Sequence, residues 1–242
     1  MIDQFAEHAN RVKSIFNRVA SKYDLMNDLM SLGLHRIWKR QFAQRLSIKP
    51  DAHYVDVASG TGDIARLIHK KITGHGLTPC ITAVDPNEAM MGQGKAKLID
   101  KGIISGVNWV QASAEDLPFD DESVDAITIS FGLRNVTDRE KALHEFHRVL
   151  KPGGQFLCLE FSEVQHKHVN AVYTFYSQNV IPKLGNYIVE KQEDPPYEYL
   201  VDSIQRFPNQ LTLKDMIETA GFKTVNFTNL TDGIVAIHEG WK

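Results

Sequence analysis

The chain has little cysteine: Cys80 and Cys158 are its only two. Each stands in a β-like segment, which reads as a reduced core thiol and argues against a disulfide scaffold or a metal role. No apolar run reaches the roughly 18 residues that a spanning helix needs. The opening Met1-Ile2-Asp3-Gln4 lacks the basic-then-apolar order of a secretory leader, so the expected location is cytoplasmic. There is no excess of positive charge. Lys and Arg number 27 against 30 Asp and Glu, a net charge of −3, which removes the global electrostatic signal for nucleic acid. No cluster has metal-ligand spacing, so no metal is expected. Internal repeats and low-complexity tracts are absent. What is left is 242 residues of ordinary globular composition, enough for one large α/β domain.

One stretch organises that domain: Val55-Asp56-Val57-Ala58-Ser59-Gly60-Thr61-Gly62-Asp63. Tyr54, Val55 and Val57 are β-prone. Ile64, Ala65, Leu67 and Ile68 then recur at helical spacing. The pattern is strand, glycine loop, helix. Glycines let a ligand approach the backbone, and the free N–H groups of the next helix face the same ligand. Gly60-Thr61-Gly62-Asp63-Ile64-Ala65 also fits the dinucleotide fingerprint, which keeps a nicotinamide reading open. However, acid flanks the loop at Asp56 and Asp63, where it would repel a pyrophosphate. An acidic cradle suits a cation bearing an amine. Here the chain resembles the class I S-adenosylmethionine-dependent methyltransferases, whose first motif has this acid-then-GxG form. The resemblance implies S-adenosylmethionine as cofactor.

The remaining segments follow in order. Residues 1–50 read as a helical cap. Its Tyr23, Asp24, Asn27, Ser31, His35 and Trp38 form a mixture that a plain cap does not need. Residues 51–162 alternate strand and helix, which predicts a mostly parallel cofactor-binding core. Strands are expected at Tyr54–Ala58, Cys80–Asp85, Val107–Gln111, Ala126–Ser130 and Gln155–Glu160. Helices are expected from about Asn87 to Lys101 and over Asp138–Leu150, the latter stopped by Lys151-Pro152-Gly153-Gly154. Residues 163–207 turn helical and aromatic and read as an insertion on the substrate side. Residues 208–242 hold a helix and two strands around Thr231-Asp232-Gly233. The predicted fold class is α/β and Rossmann-like, a class I methyltransferase domain. Its seven-stranded, mostly parallel sheet ends in an antiparallel hairpin that nicotinamide domains usually lack.

In such a sheet the ligand lies beyond the carboxyl ends of the strands. Asp56 and the Gly60–Gly62 loop fall near the methionine part of the cofactor. Asp85, 23 residues after Gly62, can accept two hydrogen bonds from ribose hydroxyls. The turn Ser113–Phe119 flanks the adenine, with the Ala114 amide reading its edge. Ser130 reaches the methionine amine or carboxylate. Arg134 should face the transferred methyl, where it would stabilise a phenolate or orient a water. The bland alternatives are a solvated strand-end acid at Asp85 and, at Arg134, a structural arginine holding the loop through a carboxylate.

Three stretches narrow the resemblance: Tyr23–Trp38, Ile129–Asp138, and Arg148–Gly154 continuing through Leu159-Glu160-Phe161-Ser162. They look like the signatures of the ubiquinone/menaquinone biosynthesis C-methyltransferases, and the similarity runs from about residue 12 to the C-terminus. Ser59 departs from the glycine that many members carry, and Gly74–Pro79 is slightly longer. By position, the resemblance places cofactor contacts on Thr61, Asp85, Ser113, Ala114 and Ser130. It implies methylation of a ring carbon of a polyprenylated quinol, either 2-methoxy-6-polyprenyl-1,4-benzoquinol or demethylmenaquinol. The proton acceptor could be a water, Asp24 or His35. A polyprenyl substrate implies peripheral contact with the inner membrane through residues 163–207 and the N-terminal helices. A quinone-biosynthesis assembly and a homodimer are also compatible. The rivals are an O- or N-methyltransferase of another small aromatic, a scaffold with a degenerate site, and a dehydrogenase.

Overall fold

The strand β1 (Tyr54–Val57) lies in the middle of a seven-stranded sheet ordered β3-β2-β1-β4-β5-β7-β6. The computed structural model describes residues 11–12, 14–17, 23–169, 174, 176 and 196–242. The other strands are β2 (Ile81–Val84), β3 (Val107–Val110), β4 (Val124–Ser130), β5 (Leu150–Phe161), β6 (Lys223–Leu230) and β7 (Val235–Trp241). β1 pairs in parallel with β2 on one side and β4 on the other; β2 with β3 and β4 with β5 are parallel too. β7 runs antiparallel to both β5 and β6. The order reverses between β1 and β4, so a crevice opens beyond their carboxyl ends.

Pleating sorts the side chains. Val55 and Val57 of β1, with Phe156 and Cys158 of β5, join one apolar cluster. Their neighbours in sequence, Tyr54, Leu157 and Leu159, join the other. The first cluster takes Leu143 and Phe146 of α5 (Arg139–Val149) and Leu213 and Ile217 of α7 (Gln210–Thr219). The second takes Trp38 and Phe42 of α2 (Leu34–Arg45) and Ile64 and Ile68 of α3 (Asp63–Gly74). Fully burying one such side chain contributes roughly 1.5–3 kcal/mol. Helices therefore cover both faces, as buried parallel strands require. Further helices among the described residues are α1 (Tyr23–Ser31), α4 (Glu88–Asp100) and α6 (Pro196–Gln205).

Helix starts follow their caps. The Asn87 side chain accepts from the Met90 amide, and Asp138 accepts from the Lys141 amide. Both residues precede their helices by one position. β4 begins two residues earlier than expected, because Val124 pairs with Leu150 before the register shifts to Ala126 with Gln155. The expected hairpin turn is a single 3₁₀ turn, Thr231–Gly233, with Asp232 left-handed at φ 58°. One expectation needs correcting: Cys158 is buried in β5, but Cys80 is exposed because it belongs to the loop ahead of β2. Much of the expected insertion, at 170–173, 175 and 177–195, lies outside the described residues. Among the described residues no helix is long and apolar enough to cross a membrane.

Candidate active site

Asp56 is the third residue of β1 and points away from Val55 and Val57. It is buried at 1% exposure. Thr128 Oγ1 donates to its Oδ1 at 2.8 Å, and the Ala65 amide donates to its Oδ2 at 3.2 Å. Burial pushes its pKa up to about 7; the two hydrogen bonds and the charge of Lys39 oppose the rise. Asp56 thus ties the start of α3 to the end of β1.

The glycine loop adopts positive φ, 53° at Gly60 and 74° at Gly62. A Cβ on Gly62 would stand 2.8 Å from the Trp109 ring, and one on Gly94 would stand 2.4 Å from it. Those two glycines let α4 and Trp109 close against the loop. The Gly60 amide donates to Asp85 Oδ2 at 2.8 Å, and the Asn87 amide donates to Oδ1 at 2.8 Å. Each Asp85 oxygen keeps a lone pair for a further donor. Burial raises the Asp85 pKa to about 6 against these two bonds.

Beyond β3, Ser113 Oγ donates to Glu115. The other Glu115 oxygen accepts from the amides of Thr137 at 3.0 Å and Asp138 at 3.2 Å. Glu115 therefore joins the expected adenine turn to the start of α5. Beyond β4, Gly132 lies against the first loop: a Cβ there would be 2.5 Å from Ala58 Cβ. Ser130 Oγ and Ser59 Oγ are buried with no hydrogen-bond partner among the described residues.

A cavity of about 290 Å³ opens among these loops. Its walls bring together Gly60, Asp85, Ser113, Ala114 and Ser130, along with Asn87, Met90 and Asn135. Val12 and Phe16 of the N-terminal segment also line it. A smaller space of about 20 Å³ is walled by Asp56 and Thr61 and shares Ala58, Gly60 and Ser130 with the larger one. Gly62 lines neither; it shapes the turn and precedes α3.

Two of the three expected catalytic residues, Arg134 and His35, fall outside the cavity walls. Arg134 is 5% exposed, and its Nη1 donates to Glu160 Oε1 at 2.8 Å and to the Phe131 carbonyl at 2.7 Å. Its own amide donates to Glu160 Oε2 at 3.2 Å. The guanidinium carbon lies 5.3 Å from the Phe161 ring centroid and 5.9 Å from that of Phe131. From the same turn, Gly132 and Asn135 line the cavity, and Asn135 Oδ1 accepts from the Tyr199 hydroxyl at 3.0 Å. His35 is also buried, with Nε2 2.8 Å from Asp28 Oδ1. It lies outside both cavity walls, and burial lowers its pKa despite the Asp28 hydrogen bond. Asp24 is on α1, but its side chain lies outside the described residues.

Sequence reading passed over Glu160, Asn135, Tyr199 and Glu115. Glu160 left a trace, an acid inside an otherwise apolar strand. Tyr199 left none, because its partner Asn135 is 64 residues away.

The model of the ubiE/COQ5 methyltransferase family matches residues 4–242. The chain belongs to the ubiE/COQ5 methyltransferase family. It is 50% identical over 234 residues to the ubiquinone/menaquinone biosynthesis C-methyltransferase UbiE of Shewanella halifaxensis, covering 97% of this chain and 91% of that protein. Among solved structures it resembles an S-adenosylmethionine-dependent methyltransferase from Aquifex aeolicus, with TM-score 0.61 and 17% identity over 93% of this chain and 97% of that one. It also resembles the [4+2]-cyclase SpnF, with TM-score 0.69 and 14% identity over 97% and 96%. Those two likenesses speak for the fold alone, and a cyclase among them shows that the fold does not name the reaction. As a member of this family the chain is a methyltransferase with S-adenosylmethionine as cofactor.

The residues present fit that cofactor. Asp85 has acceptor capacity for ribose hydroxyls, and the orphaned Ser59 and Ser130 hydroxyls sit where a polar head group would need partners. Asp56 and Asp85 carry protons at mildly acidic pH, whereas hydroxyl and ammonium donors favour the ionised forms. With both carboxyls ionised in the bound state, cofactor affinity is expected to rise with pH by up to about 100-fold between pH 5.5 and 7.5. Binding near pH 6 should release roughly one proton. Calorimetry in two buffers of different ionisation enthalpy measures both. A flat affinity with no proton release would mean that neither carboxyl touches the ligand.

Proposed function

We propose that this chain is a ubiquinone/menaquinone biosynthesis C-methyltransferase. Its substrate is a polyprenylated quinol, either 2-methoxy-6-polyprenyl-1,4-benzoquinol or demethylmenaquinol. The supporting observation is one cavity that gathers Gly60, Asp85, Ser113, Ala114 and Ser130 in a chain half identical to a protein of that name. S-adenosylmethionine supplies an activated methyl group. The protein's tasks are alignment and control of the proton on the ring oxygen.

Asp85 holds the ribose, the Ser113–Ala114 turn holds the adenine, and Asp56, Thr61 and Ser130 serve the methionine end. Asn135 presents its amide N–H to the quinol oxygen, because the Tyr199 hydroxyl already occupies Oδ1. That donor stabilises the phenolate whose density reaches the adjacent carbon. Arg134 supports it from behind, by locking the turn to Glu160 rather than clamping the substrate itself. A water in the cavity takes the proton. His35 is held by Asp28 outside the walls.

Exposed Leu25, Leu32 and Ile37 on the cap, beside the exposed Arg36 and Arg40, support peripheral contact with an anionic membrane surface. The deciding experiment incubates the protein with methyl-labelled S-adenosylmethionine and a short-chain demethylated quinol, then locates the label. Label on the ring carbon is expected. Label on oxygen would overturn the reading, and tight cofactor binding without transfer would make the chain a scaffold.

A further inference from the structure

The smaller space beside the main cavity has a different chemistry. It is about 20 Å³, and Lys39, Asp56, Ser59, Thr61, Asp63 and Ser130 give it polar walls. Lys39 does not come from the nucleotide-binding core. It comes from α2, the cap helix that packs on α3. An exposed helix face is the usual place for lysine, yet this one is only 8% exposed.

Its surroundings explain why the charge is tolerated there. Lys39 Nζ lies 2.8 Å from Asp63 Oδ2, and Lys97 Nζ of α4 lies 2.7 Å from Asp63 Oδ1. One carboxylate thus faces two ammonium groups. Burial works to raise the Asp63 pKa, but the charges of Lys39 and Lys97 outweigh it and hold the carboxyl well below its usual range. Lys97 is absent from the walls, whereas Lys39 is in them. Asp56 supplies the other acid of the wall, within electrostatic reach of Lys39. Ser59 Oγ and Ser130 Oγ, buried without hydrogen-bond partners among the described residues, complete a lining with donors and acceptors of both signs. An α-amino acid head group has this pattern, one ammonium and one carboxylate a few ångströms apart. The space adjoins the larger cavity at Gly60 and Ser130, so one ligand can occupy both.

We propose that Lys39 anchors the α-carboxylate of the cofactor's methionine moiety, which makes the cap helix part of the cofactor site. This rests on the cofactor assignment above. Lys39 is thereby a cofactor-binding residue, with the Asp63 carboxylate holding its ammonium in place. The cap and the core then meet on the same ligand, and cofactor affinity reports on the seating of α2.

The test compares three ligands by titration calorimetry. These are S-adenosylmethionine, its decarboxylated analogue, which keeps the amine, and 5′-methylthioadenosine, which lacks the whole head group. Lys39→Met keeps the aliphatic stem and removes the charge. It is expected to weaken S-adenosylmethionine by about 10- to 100-fold, the effect of losing one charge-assisted hydrogen bond. The two ligands without a carboxylate should change by less than about threefold. Lys39→Arg should recover part of the loss, since charge returns on a different geometry. Lys97→Met removes the other partner of Asp63 and should leave all three affinities near wild type. A loss shared equally by all three ligands in Lys39→Met, or a Lys97→Met variant that matches it, would overturn the proposal and make Lys39 a structural tie. Wild-type protein that binds S-adenosylmethionine and its decarboxylated analogue equally would also overturn it, while leaving the cofactor reading intact. Wild-type protein that binds none of the three would instead sink the cofactor reading itself. Melting temperatures recorded on each variant separate lost folding from lost contact.

Discussion

Arg134→Ala is expected to lower the melting temperature by roughly 6–20 °C. The reason is the group left behind. Glu160 is 1% exposed and pairs with Arg134 at 2.8 Å. Removing one partner of a buried pair strands the other charge, which costs about 3–5 kcal/mol. In a domain of this size each kcal/mol moves the midpoint by about 2–4 °C. Turnover should fall in the same variant, because Asn135 rides on the turn that the pair secures. The double variant Arg134→Met with Glu160→Gln should recover at least half of the lost stability. The Arg134 and Phe161 amides donate to different Glu160 oxygens; the glutamine keeps an oxygen for one of them, and no charge remains to be stranded. Thermal melts of the three proteins, with rates taken well below each midpoint, measure this. If Arg134→Ala melts like wild type but loses turnover, the guanidinium acts on the substrate directly and the supporting role fails.

Asp85→Ala should weaken S-adenosylmethionine binding by about 1.5–3 kcal/mol, or roughly 10- to 150-fold. Two losses combine. The ribose hydroxyls lose a charged acceptor, and the amides of Gly60 and Asn87 lose the carboxylate that sets the loop. Asp85→Asn should fall between the two, since its single carbonyl oxygen can satisfy only one of those amides well. Calorimetric affinity is the readout. An unchanged affinity would show that the end of β2 does not hold the ribose. NAD and NADP belong in the same titration, because Gly60–Ala65 has the dinucleotide spacing. Binding of either would restore the reading that the acids of the loop argue against.

Much of the site could be read from sequence because its parts are local. Asp56, Gly60 and Gly62 lie within one strand-loop-helix unit, where period and turn chemistry fix which residues face the ligand. Asp85 was legible for the same reason: the next βα unit repeats the geometry, and a parallel sheet puts its strand end beside the first. The fold class followed from the alternation of such units and from the terminal hairpin.

Arg134, His35 and Lys39 were not legible in that way. Their roles depend on partners that arrive from other elements. Glu160 lies 26 residues beyond Arg134 and reaches it only because β4 and β5 pair in parallel, Ser130 against Leu159. A charged residue just after a strand pointed to the ligand in sequence; in three dimensions it found a carboxylate first. His35 likewise found Asp28, one helix earlier. Lys39 lies in the stretch His35-Arg36-Ile37-Trp38-Lys39-Arg40, where nothing in its own segment singles it out. Packing of α2 on α3 buries it against Asp63, 24 residues away. Sequence period specifies which face of an element is apolar. It does not specify which ionisable groups will be desolvated together, because that depends on distances between elements that only the closed structure sets.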